Sequence, residues 1–125
     1  MSNPNIVNVT TISGNSSQAA LSTTSATSLA SNAASSGKVY KINSIVVANN
    51  NGTAAANITI NIYSQASLGG TAYPIASTIS VPANATLIVT DKTTTFYLLE
   101  NQSIGATAGT ANYLTVTASW EEINS

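Results

Sequence analysis

Apolar and polar side chains alternate along most of the chain after Gly37, and this alternation restricts the fold more than any other feature of the sequence. It is clearest in the segment AAANITINIY (54–63). One side of that segment carries Ala54, Ala56, Ile58, Ile60 and Ile62, and the other carries Asn57, Thr59 and Asn61. A period of two is the repeat of a β-strand with one buried and one solvated face. The segment therefore predicts a half-buried strand.

Further segments of strand character follow the same rule and are separated by turn residues. They are 38–49, 73–81, 85–91, 95–100, 103–108 and 112–123. Segment 38–49 is apolar on both sides, which predicts a central strand. Pro74 and Pro82 predict that segment 73–81 lies at a sheet edge or is irregular at its ends, because proline cannot donate to a ladder. The Asn-Gly pair in NNNGT (49–53) favours a tight hairpin.

The pattern as a whole is that of an all-β protein. Residues 38–125 show no helical period, and their many Thr, Val and Ile residues favour strands. We predict a single antiparallel β-sandwich of jelly-roll-like form over residues 38–125. A small barrel is the competing architecture.

Residues 1–37 differ in character, and we expect them to form an extended N-terminal arm. They carry no charged residue, and only residues 5–13 look like a strand. Ordering about 36 residues costs roughly 36–70 kcal/mol, whereas burial of six aliphatic side chains returns roughly 9–18 kcal/mol. The arm therefore either stays mobile as a linker or tail, or binds a surface such as the sheet edge of a neighbouring subunit. The predicted subunit-interface residues are Ile6, Val7, Val9, Ile12, Leu21 and Leu29.

Charged residues make up only 6% of the chain, and the net charge is −1. A globular protein has about 25% charged residues. A low-charge surface can meet copies of itself without desolvating ions, so we expect a homo-oligomer. The basic residues are Lys38, Lys41 and Lys92, without arginine, and they cannot form a basic patch for nucleic acid. No apolar run of about 18 residues occurs, so we expect no membrane span.

The sequence offers little for catalysis. It contains no histidine and no cysteine, which removes the usual general base, the thiol nucleophile and the usual zinc ligands. We therefore predict no enzymatic activity, no catalytic or metal-binding residues and no cofactor. The aromatic residues Tyr40, Tyr63, Tyr73, Tyr97, Tyr113 and Trp120 could form a carbohydrate-binding platform if several were exposed together. Packing in a core or interface is the simpler interpretation, because each lies in or beside a predicted strand.

Residues 38–123 resemble small β-rich virion proteins of tailed bacteriophages, especially those of cyanophages. The resemblance rests on the patterns SIxVAN, VPAxATLIVxDK, YLxE and ASWEEI, which occur here as SIVVAN, VPANATLIVTDK, YLLE and ASWEEI. It implies a structural protein of the virion, assembled in the host cytoplasm. The expected role is capsid decoration or cementing as a symmetric homo-oligomer, with a trimer as the expected form and the major capsid protein or other virion proteins as partners. A tail, neck or fibre component and a carbohydrate-binding module for host attachment are the alternatives.

Overall fold

A computed structural model describes residues 7–124, and within that range the chain forms nine β-strands and no helix. The strands are β1 (Thr11–Ala20), β2 (Thr27–Asn32), β3 (Lys38–Asn49), β4 (Ala56–Gln65), β5 (Gly69–Val81), β6 (Thr86–Thr90), β7 (Phe96–Leu98), β8 (Gln102–Ala108) and β9 (Leu114–Asn124). Each strand segment predicted after Gly37 corresponds to one of them. Strand β3 has the predicted bounds. Of the strand expected at residues 5–13, residues 5 and 6 lie outside the described range, and strand β1 begins at Thr11.

The strands form two antiparallel sheets that pack face to face. The first sheet has the order β1-β9-β3-β6, with β7 also paired to β3, and the second has the order β2-β8-β4-β5. These orders are those of a jelly roll, in which the chain passes repeatedly from one sheet to the other. The predicted all-β sandwich is thus confirmed. Strand β3 is central and β5 lies at an edge, as their apolar faces and Pro74 predicted.

The core lies between the inward faces of the two sheets. Its central members are Ile42, Ile45, Val47, Ile58, Ile60, Ile104, Leu114, Val116 and Ala118. At one end of this core the ring of Trp120 stacks on that of Tyr40, with centroids 5.9 Å apart and an angle of 20° between the planes. Within each sheet the core side chains lie on one face, because alternate residues of a strand and directly opposed residues of neighbouring strands share a face.

A β-bulge in strand β3 changes which residues face the core. The register with β9 shifts between Ile42 and Ser44. Tyr40 and Ile42 face the core before the shift, and Ile45 and Val47 face it after the shift. Strict alternation of the sequence predicts Ile42 and Ile45 on opposite sides of the strand. This prediction is wrong, because the bulge inserts one extra residue and both side chains face the core.

The expected boundary at Gly37 does not separate two structural units. Strand β1 pairs with β9 and strand β2 pairs with β8, so both belong to the sandwich. Leu21 and Leu29, expected at a subunit interface, are only 1% and 4% exposed and lie in the chain's own core. Residues 38–124 supply what an isolated arm would lack. They offer two sheet edges for backbone pairing and an apolar interior for both leucines.

The segment after β3 is also different from the predicted hairpin. Strands β3 and β4 lie in different sheets, so the NNNGT segment carries the chain across the sandwich. The buried Asn49 side chain fixes this crossing, because its Nδ2 donates to the carbonyl oxygens of Ala54 at 2.9 Å and Val81 at 3.0 Å. Asn51 Oδ1 accepts from the backbone nitrogens of Thr53 and Ala54, both at 2.8 Å. Side-chain amides thereby replace the backbone hydrogen bonds of a hairpin turn.

Candidate assembly surfaces

Among the strands of residues 7–124, β1 forms one free edge of the first sheet. It pairs with β9 over ten residues, from Thr11 opposite Asn124 to Ala20 opposite Thr115, without a register shift. Just beyond the strand, Leu21 N donates to Leu114 O at 2.9 Å. Hydrogen-bonded and non-hydrogen-bonded pairs alternate along an antiparallel ladder. The odd-numbered residues of β1 therefore bond to β9, and the even-numbered residues direct their N–H and C=O groups away from it.

The other sheet edges carry features that discourage further strand pairing. Strand β2 has six residues and a register shift. Strand β5 contains Pro74, three register shifts and a left-handed residue, Thr78. Strand β6 has five residues and is followed by Asp91 and Lys92. Short strands, bulges, proline and charge are the usual protections of a sheet edge, and β1 has none of them.

An apolar groove lies on the opposite side of the sandwich, between the edge strands β5 and β6. We call it the β5–β6 seam. It has a volume of about 460 Å³ and is lined by Ile75, Ala76, Ser77, Ile79, Leu87, Ile88 and Val89. Ile75, Ile79 and Ile88 are 38%, 40% and 60% exposed. The two sheets do not close over their apolar interior here, so the seam presents large side chains to solvent without a charged residue among them.

The residues predicted for the subunit interface are spread over different environments. Leu21 and Leu29 meet in the core, whereas Ile12 lies on the outer side of β1 opposite Ile123 and is exposed. Val7 is exposed and Val9 is half-buried. Ile6 lies outside the described residues.

The sequence interpretation did not identify the seam. A signal for it was present in segment 73–81, where Pro74 indicated an edge strand and Ile75 and Ile79 added apolar side chains to that edge. The segment does not indicate that β6 lies beside it and completes the seam, because β6 belongs to the other sheet.

A small polar cluster links strands β1, β3 and β9. Glu122 Oε1 lies 3.3 Å from Lys38 Nζ, and Glu122 Oε2 accepts from Asn15 Nδ2 at 2.7 Å and from Trp120 Nε1 at 3.4 Å. Burial raises the pKa of the nearby Tyr40 hydroxyl, and the negative charge of Glu122 adds to this increase. Glu122 thus bonds to one side chain from each of the three strands. Its geometry supports strand cohesion.

The aromatic residues do not gather into a platform. Trp120 is 8% exposed and is stacked on the buried Tyr40. The exposed Tyr73 and Tyr97 belong to different sheets, since Tyr73 lies on β5 and Tyr97 on β7. Core packing of the Tyr40–Trp120 pair agrees with the simpler interpretation of the sequence.

Residues 7–124 lack two other features that would point to a function. This part of the chain contains no group of three or more His, Cys, Asp or Glu residues that could hold a metal ion. It also contains no helix long and apolar enough to cross a bilayer.

The fold defines a β-sandwich of jelly-roll order, and it has a structural counterpart among solved proteins. No protein-family model matches the chain. No curated protein sequence matches it either. A solved structure of Bacillus endospore appendages, described as a novel family of disulfide-linked pili, is similar with a TM-score of 0.53 and 17% sequence identity. The similarity covers 92% of this chain and 90% of the pilus chain, so the likeness extends over the whole sandwich.

Proposed function

We propose that this chain is a non-enzymatic structural subunit of a virion, and that it decorates or cements the capsid as a homo-oligomer. The observation that carries the proposal is the β5–β6 seam, an exposed apolar surface in a chain with only 6% charged residues. The virion setting comes from the sequence resemblance over residues 38–123. The major capsid protein is the partner that this role requires, and particle assembly in the host cytoplasm is the corresponding location.

The size of the seam suits a subunit that is present in many copies. Ile75, Ile79 and Ile88 would contribute about 2–4 kcal/mol on burial, given their exposed fractions of 38%, 40% and 60%. Association costs about 4–15 kcal/mol in lost freedom. One seam alone therefore binds weakly, and an oligomer that engages several seams at once binds with much higher avidity. This is the energetic pattern expected of a protein that covers a regular surface.

Attachment through apolar contacts predicts a specific response to solvent. Screening by salt weakens ionic contacts and leaves apolar burial intact. We expect the protein to remain on its particle in about 1 M NaCl, where the Debye length is about 3 Å, and to be released by neutral detergent. Release by salt but not by detergent would contradict the proposal.

The seam variant Ile88→Asp provides the matched genetic test. It places a charge in the seam at a solvent-exposed position, so we expect a folded protein that no longer binds particles. Asn57→Asp is the control, because it adds the same charge at an exposed position of β4 outside the seam. Equal particle binding by both variants, measured by co-sedimentation, would exclude the seam as the attachment surface.

Copy number separates capsid decoration from a tail, neck or fibre role. Hundreds of copies per particle, quantified against the major capsid protein, support decoration. A few copies or a few dozen support a tail component.

A subunit of a pilus-like appendage is the second candidate, and the structural likeness to the endospore pilus protein favours it. This sequence has no cysteine, so any such filament would have to form without disulfides between these residues. Electron microscopy of the concentrated protein distinguishes open filaments from closed oligomers.

A further inference from the structure

The free edge of β1 has the properties of a pairing surface for a second copy of this chain. Its ten residues run without a bulge, a proline or a charge. Leu21 and Leu114 form a hydrogen-bonded pair, so the odd-numbered residues of β1 bond to β9. The backbone N–H and C=O groups that point outward therefore belong to Ile12, Gly14, Ser16, Gln18 and Ala20. No strand within residues 7–124 pairs with these groups.

We propose that two copies pair antiparallel through β1, so that their first sheets join into one continuous sheet across a two-fold axis. The proposal deepens the proposed function, on which it rests, by identifying the surface between copies. A second copy fits because neither strand carries a charge, and like charges opposite one another are what usually oppose self-pairing of identical edges.

The geometry selects a register centred on Ser16. Outward groups must meet outward groups, so even-numbered residues face even-numbered residues. Only the register with Ser16 opposite its own copy uses all five outward residues of each strand, which allows about ten hydrogen bonds. In that register Gln18 faces Gly14 of the second copy, and Ile12 faces Ala20.

Charge placed on the two-fold axis tests the surface. Ser16→Lys brings two like charges together at an exposed position that makes no side-chain contact with the core. Sedimentation velocity between about 1 μM and 1 mM should show a concentration-dependent dimer for the wild type, and we expect Ser16→Lys to raise its Kd at least about tenfold. Asn57→Lys, on the outer side of β4, is the control and should dimerise as the wild type does. Equal dimerisation by the Ser16→Lys protein overturns the proposal.

Cysteine cross-linking tests the register directly, because the natural chain has no cysteine. Opposite residues of a hydrogen-bonded antiparallel pair have Cα atoms about 5.5 Å apart, within the about 4.4–6.8 Å that a disulfide spans. The Ser16→Cys protein should therefore form a covalent dimer on mild oxidation. The Gln18→Cys protein should not, since its two thiols would lie about 13 Å apart along the strand. Cross-linking of Gln18→Cys as efficient as that of Ser16→Cys overturns the register.

The outcomes also separate this inference from the proposed function. A wild type that stays monomeric at about 1 mM yet binds particles through the seam refutes β1 pairing and the homo-oligomeric form, and it leaves attachment through the seam intact. A wild type that dimerises through β1 but fails to bind particles supports the pairing and refutes the decoration role.

Discussion

Leu21→Ala tests whether the first third of the chain belongs to the sandwich. Leu21 is 1% exposed. Its backbone bonds to the segment that leads into β9: Leu21 N donates to Leu114 O, and Leu21 O accepts from Asn112 N, both at 2.9 Å. Truncation of a buried leucine to alanine removes its transfer energy and leaves a cavity, which together cost about 2–5 kcal/mol. That is a large part of the about 5–15 kcal/mol by which a domain is stable.

Urea unfolding followed by tryptophan fluorescence measures this loss. Trp120 is the single tryptophan of the chain and is stacked in the core, so its emission reports on the sandwich. With a slope of about 2 kcal/mol/M, the middle of the usual range, the midpoint should fall by about 1–2.5 M while the slope stays unchanged. Leu99→Ala is the matched control, because the same truncation occurs at an exposed side chain. If Leu21→Ala unfolds at the wild-type midpoint, residues 11–32 are an independent arm in solution and the expected boundary at Gly37 is restored.

Two more predictions concern turns and strands outside the core. Gly70→Ala should lower the free energy of unfolding by about 1–3 kcal/mol in the same urea assay, because Gly70 has φ of 72° and an added Cβ would collide with Ser64 Oγ. The control Gly14→Ala should leave the free energy of unfolding unchanged or raise it slightly, because the space around the Gly14 Cα is open. Equal losses in both glycine variants would contradict this. The hydrogen bonds that Thr93 donates to Asp91 lower the pKa of the Asp91 carboxyl. The Asp91 carboxylate therefore adds to the free energy of unfolding above its unfolded pKa of about 3.9, and this contribution is lost as pH falls through the lower folded pKa. Asp91→Asn should therefore narrow the difference in stability between pH 6 and pH 2 (about two units below the unfolded pKa), and an unchanged difference in urea midpoints would refute this role.

Strands with one apolar face were predictable, because a period of two is visible in the sequence whenever one side of a strand is buried. Strand β3 was predicted at its observed bounds, and β4 within two residues at each end. Strand β1 was not recognised beyond its first residues, because most of its side chains are exposed and the half-buried Ser17 and Ala19 are too small to show an apolar alternation. Its position is fixed by backbone pairing with β9, which a Ser-rich segment does not reveal.

The candidate surfaces were less predictable than the strands. The sequence indicated that the early apolar residues should meet other molecules, but Leu21 and Leu29 found partners within the chain. The seam combines strands from two sheets, and the free edge of β1 depends on which strand ends the first sheet. Neither property belongs to any single segment.

The sequence by itself determined the class of fold and the low-charge surface, because strand period and side-chain chemistry are local properties of the chain. Only the tertiary structure decided which strands end each sheet, that residues 11–32 complete the sandwich, and that the β5–β6 seam stays open. These depend on pairing between distant strands, such as β1 with β9, and backbone hydrogen bonds of that kind are formed by every residue type except proline. The choice of partner is therefore made by the packing of the whole molecule.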